Sequence, residues 1–178
     1  MVYIIKSFLT ILSFSAAALA TVVKIEADIT TLSTAVTSLD KSINAYPNTG
    51  GTVAGALVIH TEAQGLINDL GTATTDIQAT SGLLSLSDGK TILSSVQAIQ
   101  PVILDALTVL VKKKAALQAL PLGGVPAIVL ADLKSLNTTA VKFADSLLKI
   151  CPSALLPQAT SIRDSVAVGF SGAIAGYS

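Results

Sequence analysis

Tryptophan is missing from this chain, histidine and cysteine occur once each, and charged residues make up only 12% of it. Each shortage removes a class of protein. A single cysteine, Cys151, permits no internal disulfide, so stability has to come from packing alone. Placed beside Pro152 at the end of an apolar helix, Cys151 reads as a small buried hydrophobe. Eleven basic residues balance eleven acidic ones, which leaves no net field to draw nucleic acid. Aromatics are too few to stack on bases. One histidine and scattered acids give no metal-ligand spacing, and no Gly-x-Ser-x-Gly turn frames a serine nucleophile. The chain is therefore expected to be no enzyme and to need no cofactor or metal.

What is present is apolar and small. Hydrophobic residues make up 51% of the sequence. Lys6 supplies a short positive segment, Ser7 to Ala18 form an apolar run, and Ala18-Leu19-Ala20 fits the small-x-small pattern of signal-peptidase cleavage. Residues 1–20 are read as a secretory signal peptide, because the run is shorter than the roughly 20 residues of a membrane span. Residues 21–178 are read as a single helical domain. The expected localisation is extracellular, with no transmembrane anchoring, and the chain end carries no hydrophobic tail of the kind a lipid-anchor signal needs.

Apolar residues recur at alternating steps of four and three, the period of a helix face. Ile25, Ile29, Leu32, Val36, Leu39, Ile43 and Tyr46 form the first seam, ended by Pro47 and the Gly50-Gly51 pair. A second helix is expected from Thr52 to Ala79, with Val53, Ala56, Leu57, Ala63, Ile67, Leu70 and Ile77 inward. A third runs from Gly89 to Leu120 through Ile92, Val96, Ile99, Ile103, Ala106, Leu110 and Leu117, with a kink near Gln97 caused by Pro101. A fourth covers Ala127 to Ile150. A fifth begins after a Ser153 cap and carries Leu155, Ile162, Val166, Phe170 and Tyr177. No stretch alternates long enough to make a strand. The spacing predicts an all-α fold, a compact antiparallel bundle of about five helices joined by short connections.

Few polar residues stand out. His60 falls on the same side as Ala56 and Ala63, close to Gln64, either as a hydrogen-bonded core histidine or as a polar handle in an apolar cavity. Lys112-Lys113-Lys114 is the one charge run, and projection brings Lys114 close to the seam of Leu110 and Leu117. It can snorkel to the bundle end or meet an acidic headgroup. Asn137-Thr138-Thr139 is the one glycosylation sequon, but Asn137 projects toward the apolar side of its helix, where a glycan would obstruct packing.

Several segments together resemble the fungal hydrophobic surface-binding protein A family, which is related to cell-wall galactomannoproteins. They are the early Asp28-Ile29 seam, Ile99-Gln100-Pro101-Val102-Ile103, Leu107 and Leu110 with Lys113-Lys114, and the late Ala173-Ile174-Ala175-Gly176-Tyr177. The resemblance covers essentially all of the chain after the signal peptide, and its motifs are diffuse rather than catalytic. It implies a secreted helical protein that binds hydrophobic surfaces, lipids or fatty acids, sometimes wall-associated, and that can help secreted lytic enzymes reach such surfaces. The alternative is a structural or antigenic wall mannoprotein with no obligate ligand. Under the binding reading, the candidate wall residues are Leu57, Ile67, Leu107, Leu110, Phe143, Leu147 and Phe170. His60, Gln64 and Lys114 are the candidate polar contacts.

Overall fold

The computed structural model describes the backbone of residues 2–178 and the side chains of residues 21–178, so the side chains of the expected signal peptide lie outside the described residues. Six α-helices follow one another, with no strand among the described residues. They are α1 (Val2–Ala45), α2 (Val53–Gln78), α3 (Leu86–Lys112), α4 (Lys114–Gln118), α5 (Val125–Ile150) and α6 (Leu156–Tyr177).

The first seam behaves as its period requires, and every one of its members from Ile25 to Tyr46 is buried. Thr52 caps α2 by accepting from the Gly55 amide at 3.1 Å, which satisfies one of the orphan donors of the first turn. The inner face of α2 differs from expectation. Ile59, Ala63, Leu66, Leu70, Ala73 and Ile77 are buried, whereas Val53 and Leu57 are 37% and 59% exposed. The start of α2 carries two apolar stripes, and tertiary contact selects the one that continues through Ala73 and Ile77.

The third segment is also divided. The helix stops at Lys112, and the short α4 carries the seam onward by burying Ala116 and Leu117. Lys113 sits at the break, 6% exposed, with its ammonium donating to Asn48 Oδ1 at 2.9 Å. Satisfying that buried cation turns the chain across the end of the bundle. Pro101 lies on the exposed side of α3 and the helix continues through it. Ser153 is not a helix cap: it opens a 3-10 turn, Ser153–Leu155, and α6 starts at Leu156 without a side-chain cap. By length and composition α3 could cross a membrane; here it forms one wall of the bundle.

Helix neighbours define a closed ring in the order α1, α2, α5, α6, α3 and back to α1. Hairpin partners are antiparallel. Lys24 of α1 meets Asp76 of α2 at 2.6 Å, and Asp145 of α5 meets Arg163 of α6 at 3.1 Å. The other neighbours run parallel. His60 and Gln78 of α2 face Asp132 and Ser146 of α5, Gln97 of α3 bonds Gln158 of α6, and Asn44 of α1 reaches Asp105 of α3. The two crossings that make this order possible plug the ends. Residues 79–85 cross one end, where the Leu84 amide donates to Ile150 O at 2.8 Å and its side chain enters the core. At the other end α4 crosses from α3 to α5.

The loop after α1 depends on a close approach. A Cβ added to Gly51 would lie 2.3 Å from the Tyr46 hydroxyl and 2.4 Å from its ring, and Tyr46 is buried. Gly51→Ala should therefore destabilise the fold by about 1–3 kcal/mol. In contrast, Gly71 faces open space within α2, so Gly71→Ala should stabilise it by up to about 1 kcal/mol. Opposite shifts of the two midpoints in chemical denaturation are the expected result.

Two acid pairs sit across ring seams. Burial, followed by the neighbouring Asp76, raises the pKa of Asp28 above the usual carboxylate value. Burial, followed by the charge of Asp105, does the same for Asp40. The folded state thus binds these protons more readily than the unfolded chain, so stability should rise as pH falls through the raised values and level off near the ordinary value of 3.8. Thermal midpoints across this range should show that slope, and Asp105→Asn should lessen the part due to Asp40 while the part set by burial stays.

Candidate functional site

A ring of five helices cannot fill its own centre with backbone. Neighbouring axes about 9 Å apart stand about 8 Å from the ring centre, while a helix with its side chains has a radius of about 5 Å. A space about one hydrocarbon chain wide remains unless large side chains reach across. In this protein they do not close it. A cavity of about 170 Å³ runs inside the ring, from Leu84, Gly89 and Ala159 near one end to Ile43, Leu110 and Leu133 toward the other. All five ring helices contribute to its wall. Where α5 faces it, Ala140 and Ala144 take positions that larger residues would fill.

Of the expected wall residues, Leu107, Leu110, Phe143, Leu147 and Phe170 line this cavity. Leu57 and His60 line a second hollow of about 110 Å³ between α2 and α5. Leu39, Ile43, Leu110, Leu133 and Leu136 stand between the two spaces and line both. Ile67 is partly buried against the core and lines neither.

The three expected polar contacts are engaged elsewhere. Asp132, 8% exposed, accepts from Gln64 Nε2 at 2.7 Å and lies 2.7 Å from His60 Nδ1, which clasps α2 to α5 beside the second hollow. Lys114 donates to Gly176 O at 2.7 Å, and its ammonium stands 5.6 Å from the centre of the Tyr177 ring. A cation on the last turn of α6 answers the orphan carbonyls there. Lys114 is thus part of the closure of the bundle end and lines neither cavity. Tyr177 completes that closure by donating from its buried hydroxyl to Leu110 O at 2.8 Å.

The polar side chains that do line the main cavity are Gln100 of α3, Asn137 of α5 and Arg163 of α6. Arg163 is committed to Asp145 at 3.1 Å and Asp164 at 2.8 Å, and the Asp145 hydrogen bond leads the causes that raise its pKa. Cys151 also lines the wall, its thiol pKa raised by burial and its Sγ directed at Pro152 O, 3.6 Å away. It is half-buried rather than fully enclosed. Cys151 and His60 therefore have separate partners and belong to separate walls. Among the described residues no three His, Cys, Asp or Glu side chains gather as metal ligands. Within the sequon, Asn137 Oδ1 is buried and its side chain lines the cavity, while the residue as a whole is only partly buried. The signal that could have marked Gln100, Asn137 and Arg163 is a polar residue amid an apolar seam.

A mostly apolar cavity walled by five helix faces defines the class of this protein, a helical bundle with room for an apolar ligand at its centre. The chain belongs to the hydrophobic surface binding protein A family, which matches residues 22–149. It is similar to AFMP4P, whose crystal structure was solved in complex with palmitic acid. The two share 26% identity over 88% of this chain and 99% of that one, with a TM-score of 0.80. The fold is also that of ligand binding domain 1 of the Penicillium marneffei MP1 protein, complexed with arachidonic acids, at 23% identity over 86% and 95% of the chains and a TM-score of 0.77. Ligand binding domain 2 of that protein, complexed with multiple arachidonic acids, matches at 20% identity over 90% and 96%, with a TM-score of 0.76. Among curated protein sequences none matches this chain.

The clasp at Asp132 is expected to be structural. Asp132→Ala should cost about 2 kcal/mol, the range for hydrogen bonds to a charged group, and should leave the affinity for a ligand of the main cavity unchanged. Denaturation and ligand titration of the same variant check both halves.

Proposed function

We propose that this protein is a secreted, non-enzymatic binder of fatty acids that holds the acyl chain inside the helix ring. The observation that carries the reading is the apolar cavity shared by all five ring helices. Palmitic acid in AFMP4P supports the choice of ligand class. Burial contributes about 0.8 kcal/mol per methylene, more over a long chain than one exposed ion pair at about 0–1 kcal/mol. Affinity then follows chain length rather than headgroup charge. Secretion rests on the leader pattern of residues 1–20 and on the family. Wall association and recruitment of lytic enzymes rest on the family resemblance alone.

A second mode concerns the exterior. Val53, Leu57, Leu122 and Ile128 line the second hollow and, with Val58, are exposed by 37% to 59%. They make one apolar patch at the end of the bundle, suited to adsorption on wax or oil.

The two modes separate experimentally. Palmitate should bind wild type more tightly than laurate, with little change between low and moderate salt. Ala140→Leu with Ala144→Leu should raise the thermal midpoint of the free protein and weaken palmitate at least about tenfold by occupying the same space. Leu57→Ser with Leu122→Ser should lower adsorption to a paraffin surface and spare palmitate binding. Palmitate affinity untouched by the filled cavity would move the ligand to the outer surface.

A further inference from the structure

Two carboxamides, Gln100 of α3 and Asn137 of α5, line the otherwise apolar wall, and of these Asn137 has a buried atom without a partner. It stands on α5 with Val141, Ala144 and Leu148, all facing the main cavity. Its Oδ1 is buried without a hydrogen-bond partner in the chain. The charged liner Arg163 already carries two carboxylates, and the Cys151 thiol is directed at Pro152 O. Thr139, two residues on from Asn137, donates to Ser135 O at 2.9 Å and so offers Asn137 nothing. A buried acceptor without a donor costs more than a hydrogen bond ordinarily gains, and an apolar residue of the same shape would avoid that cost. A carboxamide presents an acceptor and two donors from one flat group. It therefore matches a group with one hydroxyl hydrogen and one lone pair, and matches poorly a group that only accepts.

We propose that Asn137 is the polar recognition point of the main cavity and selects acyl lipids whose polar end carries a hydroxyl hydrogen, a primary alcohol or a fatty acid bound in its protonated form, over esters and ethers. The proposal rests on the reading of the cavity as an acyl-binding site and adds the class of headgroup it takes. Recognition is by a neutral amide inside the cavity rather than by a free cation, since Arg163 is already paired with Asp145 and Asp164. A sugar on Asn137 Nδ2 would take up one of the two amide donors that this recognition uses.

The test compares dodecanol with dodecyl methyl ether, ligands of like chain that differ in the hydroxyl hydrogen. Wild type should bind the alcohol about tenfold more tightly than the ether, the equivalent of one well-made hydrogen bond. Asn137→Leu, close in volume, should bring the two within about twofold while keeping ether affinity, and should raise the thermal midpoint of the free protein by about 2–4 °C. Asn137→Ala provides the same ratio should the leucine fit poorly. An alcohol-to-ether ratio near one in wild type, or a ratio unchanged in both variants, overturns the assignment while palmitate binding still upholds the cavity. Failure of palmitate, alcohol and ether alike to bind wild type overturns the acyl-binding reading itself. Intact-mass measurement of the secreted protein should find no glycan on Asn137, and finding one there overturns the proposal independently.

Discussion

The rest of the structure depends on a packing constraint. Five helices closed into a ring touch their neighbours and leave the axis empty, because the distance between neighbouring helices is set by side-chain contact. A protein needing a solid core would use fewer helices around its centre or larger residues toward it. This one does neither, placing Ala140, Ala144, Ala159 and Ala167 on the cavity wall. At the seam between α3 and α6 the helices approach closely. Gly169 lies where a Cβ would come within 2.7 Å of Leu104, and Gly176 where it would come within 3.1 Å of Val111. The ring is tight at its seams and open at its centre, and the crossings through Leu84 and α4 give it ends.

Without a disulfide, something else must fix each helix along its axis, since apolar faces slide at little cost. Every seam carries a polar clasp. Lys24 and Asp76 join α1 to α2, and Asp132 joins α2 to α5 through His60 and Gln64. Arg163 joins α6 to α5, Gln97 with Gln158 joins α3 to α6, and Asn44 joins α1 to α3 through Asp105. The exposed ones contribute little each to stability, but each is made at one register only. The wall positions that meet across the cavity are thereby set from outside it.

This division explains what was legible in the sequence. The seam from Ile25 to Tyr46 could be read residue by residue because α2 and α3 both press on that face of α1. The stripe of α2 was misassigned at its start because Val53 and Leu57 repeat as regularly as Ile59 and Leu66, and only the position of α5 decides between them. The break at Lys113 depends on Asn48, 65 residues away in the chain, and leaves no local mark. Leu107, Leu110, Phe143, Leu147 and Phe170 line the main cavity and stand out in the sequence because a cavity wall has the same period as a core. Lys114 and His60 were drawn toward the cavity by projection. Their actual partners, Gly176 and Asp132, come from helices whose place in the ring no periodicity encodes.

The outer faces complete the argument from the opposite side. Many of the threonines that cover them turn their hydroxyls back onto their own helix. Thr30, Thr34, Thr75, Thr91, Thr108 and Thr138 all donate to the carbonyl four residues earlier, at 2.8 to 3.3 Å. A hydroxyl used in this way asks less of the surrounding water, and the methyl group on the same carbon is left to face outward. Such a surface stays soluble through its scattered charges yet loses little hydration on meeting an apolar phase, where a lysine- and glutamate-rich surface would lose much. The same economy of charge that leaves the interior free for an acyl chain thus lowers the barrier to contact with the apolar phase from which such a chain must be drawn.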